Sequence, residues 1–311
     1  MSTQGFAHLW GYVMAVGDLT IVLDEMSFLE GPRWHDGRIY ISDFYTHRVL
    51  SVIPGGEPED VATVPGQPSG IGWLPDGRLV VVSMRDHKLL RQEASGELVE
   101  HADLSEFATG HLNDMVVADD GTAYVGNFGF DLMGGAALRA APLVKVDPDG
   151  AVAVASEPLL FPNGAAITPD GSTLVISESF GNRLSAFTIQ ADGSLGDRRD
   201  WAALGPPPTT DDVGEALSGV AFAPDGMCLD AEGAAWVADA IGNRAVRLAE
   251  GGELLDEIAL DVGCYACMLG GDDGRTLFLC TAPGFAEHER RDSREARLLS
   301  TQVEVPHAGT P

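Results

Sequence analysis

The sequence predicts an all-β fold, a six-bladed β-propeller with four-stranded antiparallel blades, on three observations. A tight turn followed by a short β-rich run recurs six times, a second strand follows each run, and the period suits one blade. The turn glycines are Gly37, Gly77, Gly121, Gly171, Gly233 and Gly274, separated by 40, 44, 50, 62 and 41 residues. Four short strands per unit at this spacing is the pattern of a propeller blade.

Each element has its own warrant. Asp-Gly precedes the run in five units (Asp36-Gly37, Asp76-Gly77, Asp120-Gly121, Asp170-Gly171, Asp273-Gly274) and Glu232-Gly233 does so in the remaining one. Such turns need positive φ, which glycine adopts without steric cost, so each marks a hairpin between two apolar runs. The next strands are Arg48 to Val52, Lys88 to Arg91, Leu143 to Val146, Arg183 to Phe187, Arg244 to Leu248 and Ala296 to Leu299, most followed by another Gly-rich turn such as Gly55-Gly56 or Gly251-Gly252. The long intervals mark insertions at Phe128 to Ala141, Trp201 to Gly219 and Ala282 to Glu295, which belong in loops at the propeller faces. Leu19 to Leu23 is expected to pair with the C-terminal strands and close the ring. Residues 1–311 read as a single domain, with about 1–18 and 300–311 peripheral or flexible.

Composition narrows the partners. The chain has 311 residues, 45% of them apolar, enough for a large core. Nineteen Lys and Arg against 47 Asp and Glu give a net charge of −28, which repels phosphate backbones and anionic lipid surfaces and leaves hard cations as plausible ligands. Neither nucleic acid nor a membrane is an expected partner, and a monomer or weak homodimer is. Four cysteines (Cys228, Cys264, Cys267, Cys280) are too few for a disulfide framework. Cys264 and Cys267 have a redox or zinc spacing but no matching second pair, so they read as part of a buried strand. With no basic N-terminal region and only a short apolar stretch broken by Gly11, the chain reads as cytoplasmic.

The strand entering each turn should line the central channel. Counting back eight residues from the turn glycine gives Ser69, Asn113, Asn163, Asp225 and Ala266; counting back seven in the first unit gives Glu30. Five of the six are polar among apolar neighbours, and pseudo-symmetry should bring them to one point. Two carboxylates and two carboxamides offer only oxygen, suiting a hard divalent cation. A merely hydrated channel is the alternative, at the cost that two buried carboxylates without a cation favour protonation of one.

Glu30-Gly31-Pro32-Arg33-Trp34, Leu112-Asn113-Asp114, Pro162-Asn163-Gly164-Ala165 and Asp225-Gly226-Met227-Cys228-Leu229-Asp230 stand in order and at blade spacing. Together, from about Phe28 to Thr281, they resemble the successive signatures of the gluconolactonase, regucalcin (senescence marker protein) and luciferin-regenerating-enzyme family. The resemblance implies a propeller holding one divalent cation in its channel and hydrolysing lactones. Calcium is the first expectation; manganese, zinc, magnesium or ferrous iron are the others. It implies Glu30, Asn163 and Asp225 as metal ligands, Asn113 as ligand or close neighbour, and Asp114 in the substrate pocket. Asp225 is the candidate for ligand and base together, with Asp114 and Glu30 as alternative bases. Where sugar-lactone members commonly carry arginine, two residues before the Asn-Asp pair, this chain has His111, which is not equivalent to a forked guanidinium. With the apolar insertion opening at Phe128, that admits a less polar lactone or ester as well as a sugar lactone. His111, Asn113, Asp114 and Phe128 are the candidate substrate contacts. The competing functions are a non-catalytic propeller that binds calcium or a ligand, and metal-assisted hydrolysis of phosphotriesters or other esters. Neither a Gly-x-Ser-x-Gly elbow nor a nucleotide-binding glycine motif is present.

Overall fold

The computed structural model describes residues 19–309. After β1 (Thr20–Met26), blade one is β2 (Leu29–His35), β3 (Arg38–Asp43), β4 (Arg48–Val52) and β5 (Glu59–Thr63). Blade two is β6 (Pro68–Trp73), β7 (Leu79–Ser83), β8 (Lys88–Gln92) and β9 (Leu98–Asp103). Blade three is β10 (Leu112–Val117), β11 (Ala123–Asn127), β12 (Val144–Val146) and β13 (Val152–Val154). Blade four is β14 (Pro162–Ile167), β15 (Thr173–Glu178), β16 (Arg183–Ile189) and β17 (Leu195–Ala203). Blade five is β18 (Pro224–Leu229), β19 (Ala235–Asp239), β20 (Arg244–Leu248) and β21 (Leu254–Ala259). Blade six is β22 (Gly263–Gly270), β23 (Thr276–Ala282) and β24 (Ala296–Gln302), with β1 as its outer strand. All six turn glycines have φ between +70° and +90°, the conformation for which glycine was expected there.

The ring closes as expected, by antiparallel pairing of the two ends of the chain, with Thr20 opposite Ser300 and Met26 opposite Ala296. Of the ends expected to be peripheral or flexible, residues 1–18 and 310–311 lie outside the described residues. Residues 300–302 lie within β24, and beyond them the His307 N–H donates to the Gly274 carbonyl at 2.9 Å and the Ala231 N–H to that of Pro306 at 2.8 Å. Backbone hydrogen bonds thus fix this segment on blades five and six. Among the described residues no helix is long and apolar enough to cross a membrane.

The second strands are buried on both faces because neighbouring blades cover them, which is why Leu79–Ser83 reads as a continuous apolar run instead of alternating. The innermost strands β2, β6, β10, β14, β18 and β22 pack one against the next around the axis. Small residues permit that approach: a Cβ added to Gly164 would lie 2.5 Å from Gly226 Cα and 2.6 Å from Met227 N. Gly164→Ala is therefore expected to destabilise the protein by about 1–3 kcal/mol through overpacking, read from the urea unfolding midpoint.

Candidate active site

Glu30, Asn113, Asn163 and Asp225 each follow the first residue of an innermost strand, and all four line one cavity on the axis while being only 5–8% exposed. Local backbone geometry puts them there. Every innermost strand breaks register near this point: between Glu30 and Arg33, Leu112 and Met115, Pro162 and Ala165, and Pro224 and Met227. Such bulges re-aim side chains away from the regular alternation. Acidic residues ending the second strands anchor the segments leading in. Asp43 Oδ1 accepts from the Phe28 N–H at 3.1 Å, Glu178 Oε2 from the Leu160 N–H at 2.9 Å, and Asp239 Oδ1 from the Ala223 N–H at 3.2 Å.

Two of the six counted positions fall elsewhere. In blade six a single residue, Tyr265, is bulged between paired Cys264 and Ala266, whereas the other bulges carry two. The register therefore shifts by one: Tyr265 faces the cavity and Ala266 packs in the core beside Cys267. Ser69 is buried, accepts the Ser42 hydroxyl on its own carbonyl at 2.6 Å, and leaves Gln67 and Met84 to represent blade two on the wall.

Asp114 also departs from expectation. It is not on the cavity wall; its carboxylate pairs with the Arg33 guanidinium at 3.1 and 3.2 Å and accepts the Met115 N–H at 2.8 Å. Alternation along β10 turns it away from the side that presents Asn113, into a buried ion pair between blades one and three. Removing one member of such a pair leaves an uncompensated buried charge. Arg33→Met is accordingly expected to cost about 3–5 kcal/mol, measured by urea denaturation at neutral pH.

The cavity floor is electrostatically incomplete. Burial, followed by the charges of Asp225 and Asp114, holds Glu30 well above the ordinary carboxylate range. Burial and then Asp114 do the same to Asp225. Asp225 Oδ1 is buried and has no hydrogen-bond partner among the described residues. The carboxamides are turned the same way. The Asn113 Nδ2 donates to the Pro162 carbonyl at 3.2 Å, and the Asn163 Nδ2 donates to Ser179 Oγ at 3.1 Å, whose hydroxyl donates to the Pro224 carbonyl at 2.7 Å. With their nitrogens engaged by protein, both amides keep their oxygens as the atoms they can offer a cation. An all-oxygen set with an orphaned carboxylate oxygen fits a hard divalent cation. Among the described residues no three side chains of the His, Cys, Asp and Glu types gather as a metal cluster, so such a cation would depend on the carboxamides.

Above the floor the cavity opens to solvent, its space with that open mouth included being about 830 Å³. All three insertions reach it: Leu132 and Met133 from the first, Leu217 on α1 (Val213–Gly219) from the second, and Phe285 with Glu287 on α2 (Glu287–Arg290) from the third. His111 and Phe128 both line it, their rings 6.0 Å apart. Burial, then the charges of Arg85 and His87, pull the His111 imidazole below its usual range, so it is neutral at pH 7. Arg85, Ser179, Phe161 and Phe180 also line the cavity, and only the fold brings them there. The four cysteines are free and buried, and the Cys267 thiol donates to the Trp236 carbonyl at 3.3 Å, as befits strand packing.

Comparison with known proteins agrees with this architecture. Residues 28–283 match the family model described as the SMP-30/Gluconolactonase/LRE-like region. A 6-deoxy-6-sulfogluconolactonase from Pseudomonas putida is 26% identical over 298 residues, covering 91% of this chain and 93% of that protein. Regucalcin from Agrobacterium tumefaciens, described as a calcium-binding protein, superimposes with a TM-score of 0.74 at 21% identity over 94% of this chain and 96% of that one. A gluconolactonase from Xanthomonas campestris does so with a TM-score of 0.70 at 23% identity, over 93% and 91%.

Proposed function

Because the chain belongs to the SMP-30/gluconolactonase/LRE-like family, we propose that it is a hydrolase of cyclic carboxylic esters dependent on one divalent cation, calcium first. The observation that carries this reading is the unpartnered Asp225 Oδ1 on a floor shared with Glu30, Asn113 and Asn163. The lactonase from Pseudomonas putida, aligned over nearly the whole of both chains, supports it.

Glu30, Asn113, Asn163 and Asp225 would hold the cation, which when bound supplies Lewis acidity toward an ester carbonyl and offsets the two buried negative charges. The protein's own groups do the remainder. The Asp225 carboxylate takes the proton of the attacking water. Water adds to the carbonyl carbon, the bond to the ring oxygen breaks, and that oxygen receives the proton from Asp225 and leaves as the hydroxyl of a hydroxy acid. The neutral His111 contacts the ring from the wall. Asp114 has no part in the proton transfer, being engaged by Arg33.

Ser179 is a positioning residue: it engages the Asn163 nitrogen, leaving the oxygen for the cation, and touches no substrate in this scheme. Ser179→Ala is expected to weaken calcium binding by about 10–100-fold in a calorimetric titration and to cost the metal-free fold about 1–3 kcal/mol through the two hydrogen bonds lost.

The function is tested by following ring opening of sugar and aliphatic lactones by pH-stat with metal-stripped protein, before and after calcium, manganese, zinc, magnesium or ferrous iron is restored. Turnover that returns with the cation is the expected result. No lactone turnover despite bound cation would overturn the reading in favour of a binding propeller or a hydrolase of other esters or phosphotriesters.

A further inference from the structure

The walls of the cavity contrast with its floor, and the contrast bears on what is bound. On one side, Phe128 and Phe161 stack with ring centroids 4.6 Å apart at 24°, and Phe180 meets Phe161 edge-on at 5.3 Å. On the other, Phe28 lies 4.8 Å from Tyr265 and 5.3 Å from Phe44. Phe161 is held at φ +61°, a conformation a bulky side chain rarely adopts, directly before Pro162 and Asn163. The insertions add Leu132, Leu217 and Phe285 at the mouth.

Above the floor the Arg85 and Ser179 side chains are already engaged by protein, and His111, Tyr45 and Tyr265 add polar atoms to a mostly apolar wall. The Arg85 guanidinium donates to Gln67 Oε1 at 2.7 Å and to Glu287 at 2.7 Å, and the Ser179 hydroxyl is committed to the Pro224 carbonyl. A ligand with several hydroxyls would leave some of them buried against phenyl rings without partners, which is unfavourable. An apolar group of similar size would gain from displacing water there.

We infer that the substrate is a small-ring lactone bearing a bulky apolar substituent, alkyl or aryl, with its ester at the Glu30/Asn113/Asn163/Asp225 floor and the substituent between the Phe128/Phe161 and Phe28/Phe44 walls. This deepens the lactonase reading and rests on it for the ester, but the apolar character of the ligand follows from the walls alone.

The test compares three lactones of equal ring size on calcium-loaded protein: δ-gluconolactone with its hydroxyls, δ-decalactone with a pentyl tail, and dihydrocoumarin with a fused benzene ring. Binding of δ-decalactone is measured in parallel by calorimetry at two temperatures, where burial of an apolar tail gives a negative heat-capacity change. The expected kcat/KM for the two apolar lactones exceeds that for δ-gluconolactone by about 100-fold or more, and Phe128→Ser lowers it by about 10-fold or more on the apolar lactones alone. Phe128→Leu, which keeps apolar volume, restores most of the loss and separates lost contact from misfolding. Equal or better turnover of δ-gluconolactone would overturn the inference and leave the lactonase reading standing. Binding of δ-decalactone with a negative heat-capacity change but no opening of any lactone would do the reverse.

Discussion

Asp225→Asn is expected to lower lactone opening by about 10²- to 10⁴-fold, the usual contribution of a positioned proton acceptor. The substitution keeps the shape of the side chain and its place after the first residue of β18, but it removes the proton acceptor and one of the two carboxylates on the floor. Its effect on folding should have the opposite sign. In the metal-free protein Asp225 is a buried carboxyl near Glu30 and Asp114, held above its ordinary range by burial and then by Asp114. A neutral carboxamide removes that burden, so metal-free Asp225→Asn should unfold at a urea concentration equal to or higher than wild type at pH 7. Loss of activity with undiminished stability separates a chemical role from a structural one. A variant that is inactive because it no longer folds would contradict the assignment of Asp225 to the chemistry.

The second large effect is on the cation itself. Chelation should abolish turnover and lower the melting temperature, and calcium at about 100 times its dissociation constant should restore about 2.7 kcal/mol, or about 4 °C. The pH dependence has a definite sign. Glu30 and Asp225 both have folded-state values raised above those of the unfolded chain, so the metal-free fold binds protons that the unfolded chain has released. Its stability from these groups is fully present below the unfolded carboxylate range, about pH 4, and declines as pH rises through the raised values. Metal-free protein should therefore melt higher at pH 5 than at pH 8, with the increment added by calcium larger at pH 8. Differential scanning calorimetry at the two pH values, with and without chelator, checks both statements. Equal calcium increments at the two values would show that Glu30 and Asp225 are not the groups neutralised.

How far the site could be read from the sequence depended on which interactions set each position. The six turns were legible because Asp-Gly or Glu-Gly between apolar runs admits few alternatives, and a period measured from Gly37 to Gly274 carries the blade count. Glu30, Asn113, Asn163 and Asp225 were legible because polarity at a fixed distance from a turn contradicts the burial of its neighbours. Tyr265 was not, because a one-residue bulge in β22 depends on how blades five and six pack and leaves no local mark. Asp114 was misplaced for a related reason: its partner Arg33 lies on another blade, and nothing along β10 shows which way the carboxylate turns. The aromatic walls were visible only at Phe128, since Phe28 and Phe44 belong to blade one and Phe161 and Phe180 to blade four, and they converge only through the ring closure.

The most direct test of the central claim is a calorimetric titration of calcium into metal-stripped protein, with Glu30→Gln and Asp225→Asn titrated alongside. One equivalent bound per chain, lost or greatly weakened in both variants, is the result predicted by an all-oxygen floor built from these side chains. Calcium binding of undiminished affinity in both variants would contradict it and place the cation, if any acts in this protein, outside the ring formed by Glu30, Asn113, Asn163 and Asp225.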